Sequence, residues 1–120
     1  MVVRTRYRDI PAYTTRDGST IRELMHPAVH GNCQQSLAEA IIQPGEQTRL
    51  HRHRISEELY HVTSGTGVMT LGPVTLNLAA GDTLLIPPGT AHCVTATGDE
   101  PLYILCCCSP AYAHEDTELL

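Results

Sequence analysis

The run GEQTRLHRHRISEELYHVTSG, from Gly45 to Gly65, decides how the rest of the chain is read. It places His51 and His53 two residues apart and follows them with the acid pair Glu57-Glu58. LHRHR reads as a strand, in which residues i and i+2 share a face. His51 and His53 then point one way, and Arg52 and Arg54 point the other. ELYHV, from Glu58, reads as the next strand after the short break Ile55-Ser56-Glu57, which lets an acid swing back toward the two imidazoles. A second run, GDTLLIPPGTAHCV from Gly81 to Val94, brings His92. Two nitrogens from His51 and His53, one from His92 and an oxygen from Glu58 form a ligand set suited to Zn, Fe, Mn, Ni or Co. An HxH pair alone is a weak signal. The weight comes from the turn-forming residues Gly45, Gly65, Gly81 and Gly89 that flank both runs.

Composition narrows the classes. A chain of 120 residues with 42% hydrophobic content fits one modest core. With five Tyr, no Phe and no Trp, that core must be aliphatic, as suits strands facing into a narrow barrel. The net charge of −5, with Arg as the only cationic residue besides His, does not favour nucleic acid. Arg4, Arg6 and Arg8 alternate near the start and read as the solvated face of an edge strand. No apolar run is long enough to span a bilayer, and no signal-type segment leads the chain, so the expectation is a cytoplasmic protein with no membrane partner. Five cysteines, three of them consecutive at Cys106, Cys107 and Cys108, do not make a disulfide framework; reduced core thiols are expected.

Along the chain, residues 1–10 read as an extended arm and Asp17-Gly18 as a tight turn, followed by a short strand to Met25. His26 and His30 fall in a loop-like stretch, HPAVHGNC. Gln35 to Ile42 is ambiguous: its Leu, Ala and Glu favour helix, its alternation favours strand. From Arg49 onward, short strands alternate with Gly and Pro corners, the rhythm of an all-β barrel or sandwich. The tail PAYAHEDTELL stays open between a free end and a lid over one mouth, with Tyr112 and His114 as the groups that would cover it.

Together the two runs resemble the paired motifs of the cupin superfamily. The first motif, G-x5-H-x-H-x3 or 4-E-x6-G, is matched by Gly45, His51, His53, Glu58 and Gly65 with the four-residue spacing. The second, G-x5-P-x-G-x2-H-x3-N, is matched by Gly81, Pro87, Gly89 and His92, and departs at its last position, where this chain has Ala96. The resemblance implies a cupin-type double-stranded β-helix, or jelly-roll, barrel with one divalent transition metal ion inside. It implies a single cupin domain over residues 1–120: an N-terminal arm with edge strands over 1–30 and the barrel over 35–108. It also makes 35–42 a strand. Strand geometry alone does not separate Glu57 from Glu58; the family spacing, and the face shared with Tyr60, select Glu58.

The family's range leaves the reaction open. The leading expectation is a metal-dependent isomerase, epimerase or lyase acting on a small polar or anionic metabolite such as a sugar or sugar acid, with the inward-facing Tyr60 as the catalytic proton donor. The alternatives are an Fe-dependent dioxygenase using the same ligands and a non-catalytic, metal-bearing small-molecule binding protein. The last gains from the few polar residues, besides the ligands, that can be placed inside. Exposed sheet edges and a spare N-terminal arm point to a homodimer.

Overall fold

A computed structural model describes residues 1–120. Eleven strands build two sheets: β1 (Tyr13–Thr14), β2 (Thr20–Met25), β3 (Ser36–Ile42), β4 (His51–His53), β5 (Glu57–Ser64), β6 (Thr66–Leu71), β7 (Val74–Ala79), β8 (Thr83–Ile86), β9 (His92–Ala96), β10 (Leu102–Ser109) and β11 (Thr117–Leu119). One sheet runs β1-β2-β3-β10-β5-β8 and the other β11-β4-β9-β6-β7, with antiparallel pairing throughout. The architecture is the all-β jelly roll that the family resemblance implies.

Period-2 patterning explains which side chains enter. Along β5, Glu58, Tyr60 and Val62 are buried while Glu57, Leu59 and His61 are exposed. Along β10, Leu102, Ile104, Cys106 and Cys108 are buried, and the residues between them are half-buried. Val62, Met69, Ile86, Leu102 and Ile104 fill the space between the sheets. Each such aliphatic side chain, fully withdrawn from water, contributes about 1.5–3 kcal/mol. Tyr60 is the one aromatic of this cluster, and the rest is aliphatic or small. Ala96 is fully buried there, and its backbone bonds the loop that leads to the histidines: Gly45 N–H donates to its carbonyl (2.9 Å), and its own N–H donates to Glu46 O (3.0 Å).

Gly65 makes the tight β5–β6 corner. It sits at φ +89°, and an added Cβ would lie 2.5 Å from Pro101 O and 2.9 Å from Leu102 Cα. A side chain there is excluded by conformation and by space alike. The ambiguous stretch resolves as β3, because it lies between β2 and β10 and tertiary pairing on both edges overrides its helix-favouring residues.

Three segments differ from the sequence reading. The HPAVHGNC stretch holds a one-turn helix, α1 (Pro27–His30), rather than plain loop: His26 Nδ1 accepts from Ala28 N–H (3.0 Å), and Gly31 ends the turn at φ 87°. The N-terminal arm is not spare from Thr5 onward, since Thr5 Oγ1 donates to Leu24 O (2.6 Å) and Tyr7 OH to Glu39 Oε1 (2.6 Å), laying it across the chain's own sheet. The tail is ordered: β11 pairs with β4 in the register Thr117↔His53, Glu118↔Arg52 and Leu119↔His51. All five thiols are free; Cys33 is exposed, Cys107 half-buried, and Cys93, Cys106 and Cys108 buried.

Candidate metal centre

Three imidazoles meet between the sheets. His51 and His53 project inward from β4, and His92 faces His51 directly across the β4–β9 pair. Their ring centroids are 4.2 Å (His51–His92), 5.3 Å (His51–His53) and 5.5 Å (His53–His92) apart. One nitrogen from each lies within 4.8 Å of the others, so the three can hold one metal ion. All three are buried, His92 completely.

The hydrogen bonds around the rings fix how they face. His51 Nδ1 donates to Arg49 O (2.7 Å) and His92 Nδ1 to Thr90 O (2.9 Å). A carbonyl only accepts, so both Nδ1 atoms carry the proton, which leaves the Nε2 lone pairs for the interior in the neutral rings. His53 Nδ1 meets Thr117 Oγ1 (3.1 Å), whose own hydrogen goes to Ala113 O (3.0 Å), so the same tautomer follows. Outer bonds of this kind orient imidazoles toward a metal.

Glu58 closes the group from β5 in the opposite sheet. Its Oε1 lies 3.2 Å from His53 Nε2 and 3.5 Å from His92 Nε2. Its Oε2 accepts from the Cys108 thiol (3.2 Å). Glu58 Oε1 and His92 Nε2 are both buried without a hydrogen-bond partner. Unprotonated nitrogens and a carboxylate oxygen crowded in a dry site call for positive charge between them, and a divalent cation satisfies all of them at once. Burial alone would raise the Glu58 carboxyl, but the His53 and His92 imidazoles that face it outweigh this and hold it down at about 2. Burial, then the charge of His92, pushes His51 below its ordinary value and keeps it neutral. Burial opposes protonation of His53 too, but the facing Glu58 carboxylate overrides it and raises His53.

Beside the centre lies a cavity of about 50 Å³, lined by Tyr60, Asp17, Glu23, Tyr112 and others. That exceeds the roughly 10–15 Å³ needed to enclose a water. Burial first, and then the nearby Glu58 charge, pushes the Tyr60 phenol well above its usual range, so it stays a donor. Its ring stands edge-on to His92 at 6.0 Å. Tyr112, from the tail, packs edge-on against His53 at 5.7 Å and forms part of the wall, so the tail is not a free end. Its hydroxyl bonds Thr15 Oγ1 (3.2 Å) and His114 Nδ1 (3.0 Å). Glu57 is exposed, as the outward face of β5 requires. Met69 lies in the packed core and not in the cavity wall.

Sequence reasoning missed Asp17, Cys108 and Thr117 as neighbours of the centre. Asp17 Oδ2 lies 3.7 Å from His51 Nε2, while Asp17 Oδ1 accepts from Ser19 N–H (2.9 Å) and Ser19 Oγ (2.7 Å). The Asp-Gly turn signal was legible, but the direction of its carboxylate was not. The interior is also more polar than expected: Asp17, Ser19, Glu23, Ser36 and Thr117 all reach the cavity wall.

Comparison with known proteins agrees with this geometry. The family model described as "Cupin domain" matches residues 38–108. An uncharacterized protein of Methanocaldococcus jannaschii is 49% identical over 119 residues, covering 99% of this chain and 95% of that protein. The crystal structure of Lactobacillus farciminis oxalate decarboxylase in its formate complex superposes with a TM-score of 0.80 at 27% identity, covering 94% of this chain and 34% of that one. This chain thus spans about a third of the decarboxylase's length. The polyketide cyclase RemF from Streptomyces resistomycificus superposes with a TM-score of 0.79 at 22% identity, covering 97% of this chain and 89% of that one, a likeness of fold. With both motifs, the two-sheet barrel and the family match over most of its length, the chain belongs to the cupin family.

Proposed function

We propose that this protein is a metal-dependent cupin enzyme in which His51, His53, His92 and Glu58 hold one divalent transition metal ion. The observation that carries the reading is the set of three Nε2 atoms turned inward by outer hydrogen bonds toward an unpartnered buried carboxylate oxygen. A bound ion would supply Lewis acidity, polarising a substrate oxygen or lowering the pKa of water. The chain's own groups do the rest. Tyr60, kept protonated by its surroundings, donates a hydrogen bond or proton at the ligand's oxygen. Tyr112 and the tail shield the mouth from solvent.

The reaction class best supported is proton transfer beside a carbonyl, of isomerase, epimerase or lyase type, on a small polar molecule. The cavity admits only the reacting end of a sugar-sized ligand. A second reading, carbon–carbon or oxygen chemistry at the same ion, draws on the 27% likeness to oxalate decarboxylase. The non-catalytic reading loses support from the polar wall. Residues 1–120 are read as one cupin domain. Apolar Leu37, Leu59 and Leu85, exposed in one register row on the outer sheet face with Cys107 between the first two, support a homodimer. The free thiols support a cytoplasmic setting.

The test is metal content by elemental analysis after incubation with Mn(II), Fe(II), Co(II), Ni(II) and Zn(II) separately. One ion per chain is expected in the parent, with loss of most of it in His51→Ala and His92→Ala. Equal uptake by parent and both variants would refute the assignment. Tyr60→Phe should keep the ion and lose turnover. Sedimentation velocity at micromolar concentration reads the dimer, and a single monomer boundary would exclude it.

A further inference from the structure

The cavity carries a charge pattern that the two cupin motifs do not describe. Its wall presents three carboxylates, from Asp17, Glu23 and Glu58, and no Arg side chain. Glu58 is the expected ligand. The other two come from the N-terminal part of the chain, ahead of both motifs. Asp17 reaches the opposite flank of the triad from Glu58: its Oδ2 stands near His51 Nε2, while Glu58 faces His53 and His92. The two bonds from Ser19 hold Asp17 Oδ1 in place and leave Oδ2 as the cavity-facing acceptor. Glu23 Oε1 is buried without a partner, and its Oε2 meets only the long bond from Tyr13 OH (3.4 Å).

An acidic wall alone would prove little. Here it borders a site whose own buried atoms, Glu58 Oε1 and His92 Nε2, are left unpartnered with their residues only 5% and 0% exposed. The summed charge then decides the ligand. A divalent ion with Glu58 and Asp17 comes to zero, and Glu23 adds a negative charge. A carboxylate or phosphate entering this space meets Asp17 and Glu23 with no cationic side chain to receive it. A hydroxyl or ammonium group meets acceptors that have no other donor.

We propose that the site selects a small neutral or cationic ligand, one that carries hydroxyl or amine groups in place of a carboxylate or phosphate, and that Asp17 accepts its O–H or N–H donor while Glu23 adds to the preference. This rests on the metal reading above and narrows its substrate class, setting sugar acids aside. Asp17 acts as a ligand-binding group and not as a fifth protein ligand to the ion.

The experiment uses the Mn(II)-loaded full chain and three two-carbon probes: ethanolamine, ethylene glycol and glycolate. Relaxation of the probe protons by the bound ion reads weak binding directly. In the parent, ethanolamine and ethylene glycol should bind at least about tenfold more tightly than glycolate. Asp17→Asn, which keeps the oxygen that Ser19 bonds, should retain one ion per chain and lose most of that discrimination. Glu23→Gln should move it in the same direction by less, and it supplies a second reading if Asp17→Asn does not fold. Glycolate binding most tightly to the parent, or unchanged selectivity in both variants, overturns the proposal while the metal centre stands. Loss of the ion in Asp17→Asn also overturns it, making Asp17 a ligand to the metal. A parent chain that takes up no ion refutes the metal reading, and this inference with it.

Discussion

At the scale of single residues, the centre depends as much on what stands behind each imidazole as on the imidazoles themselves. His51 and His92 lean on backbone carbonyls that no substitution removes, but His53 leans on the Thr117 hydroxyl. Thr117→Val keeps the shape and deletes the acceptor. It should weaken metal binding about tenfold or more, the usual cost of losing an outer-shell partner, as measured by competition with a chromophoric chelator. The four candidate ligand residues were legible as a group because their spacing within two short runs is a one-dimensional pattern. Thr117 and Asp17 were not, because they approach from segments far along the chain in either direction. Cys108 was read only as one of the reduced core thiols, and nothing in a strand's alternation says which acid a buried thiol will meet. Only the register Cys108↔Glu58 supplies that.

At the scale of elements, β4 is only three residues long, and one register pair joins it to β9. Its other edge would be bare without β11. The bend between β4 and β5, which turns Glu58 back toward the histidines, is tied to the same tail. Asp116 Oδ1 accepts from Ile55 N–H (2.8 Å), its Oδ2 accepts from Ser56 N–H (3.0 Å), and its backbone carbonyl accepts from Arg54 N–H (3.0 Å). Burial would push the Asp116 carboxyl up, but the Ser56 and Ile55 N–H groups prevail and hold it below its ordinary 3.8. Because the folded value is the lower one, this stabilisation is fully present above the ordinary value and is lost as pH falls through the folded value. Asp116→Asn should therefore cost about 1 kcal/mol near neutral pH. The gap between parent and variant should close in acid, as urea unfolding at a series of pH values would show. The barrel strands from 36 to 108 were legible as elements, since Gly and Pro corners and period-2 burial agree there. β11 was not: three residues in a polar tail carry no periodicity, and their pairing depends on β4 having a free edge.

At the scale of the whole molecule, the candidate ligands tie the two sheets together. His51, His53 and His92 belong to the sheet β11-β4-β9-β6-β7, and Glu58 belongs to the other. An ion held by all four ties the layers at one end of the barrel, and its binding energy adds to folding. At a free ion concentration about 100-fold above Kd the gain is about 2.7 kcal/mol. For a chain of this size that corresponds to a melting temperature higher by on the order of 10 °C. Calorimetry with and without a strong chelator should show the drop in the parent and none in His92→Ala. The distribution of thiols has a practical use in the same connection. With Cys33 in solvent, Cys107 half-buried on the other face of β10, and Cys106 and Cys108 sealed beside the centre, a thiol-reactive dye marks Cys33 first, Cys107 next, and the sealed pair only when the seam between the sheets gapes. The lag before the slow sulfurs react is then a stopwatch for breathing of the barrel.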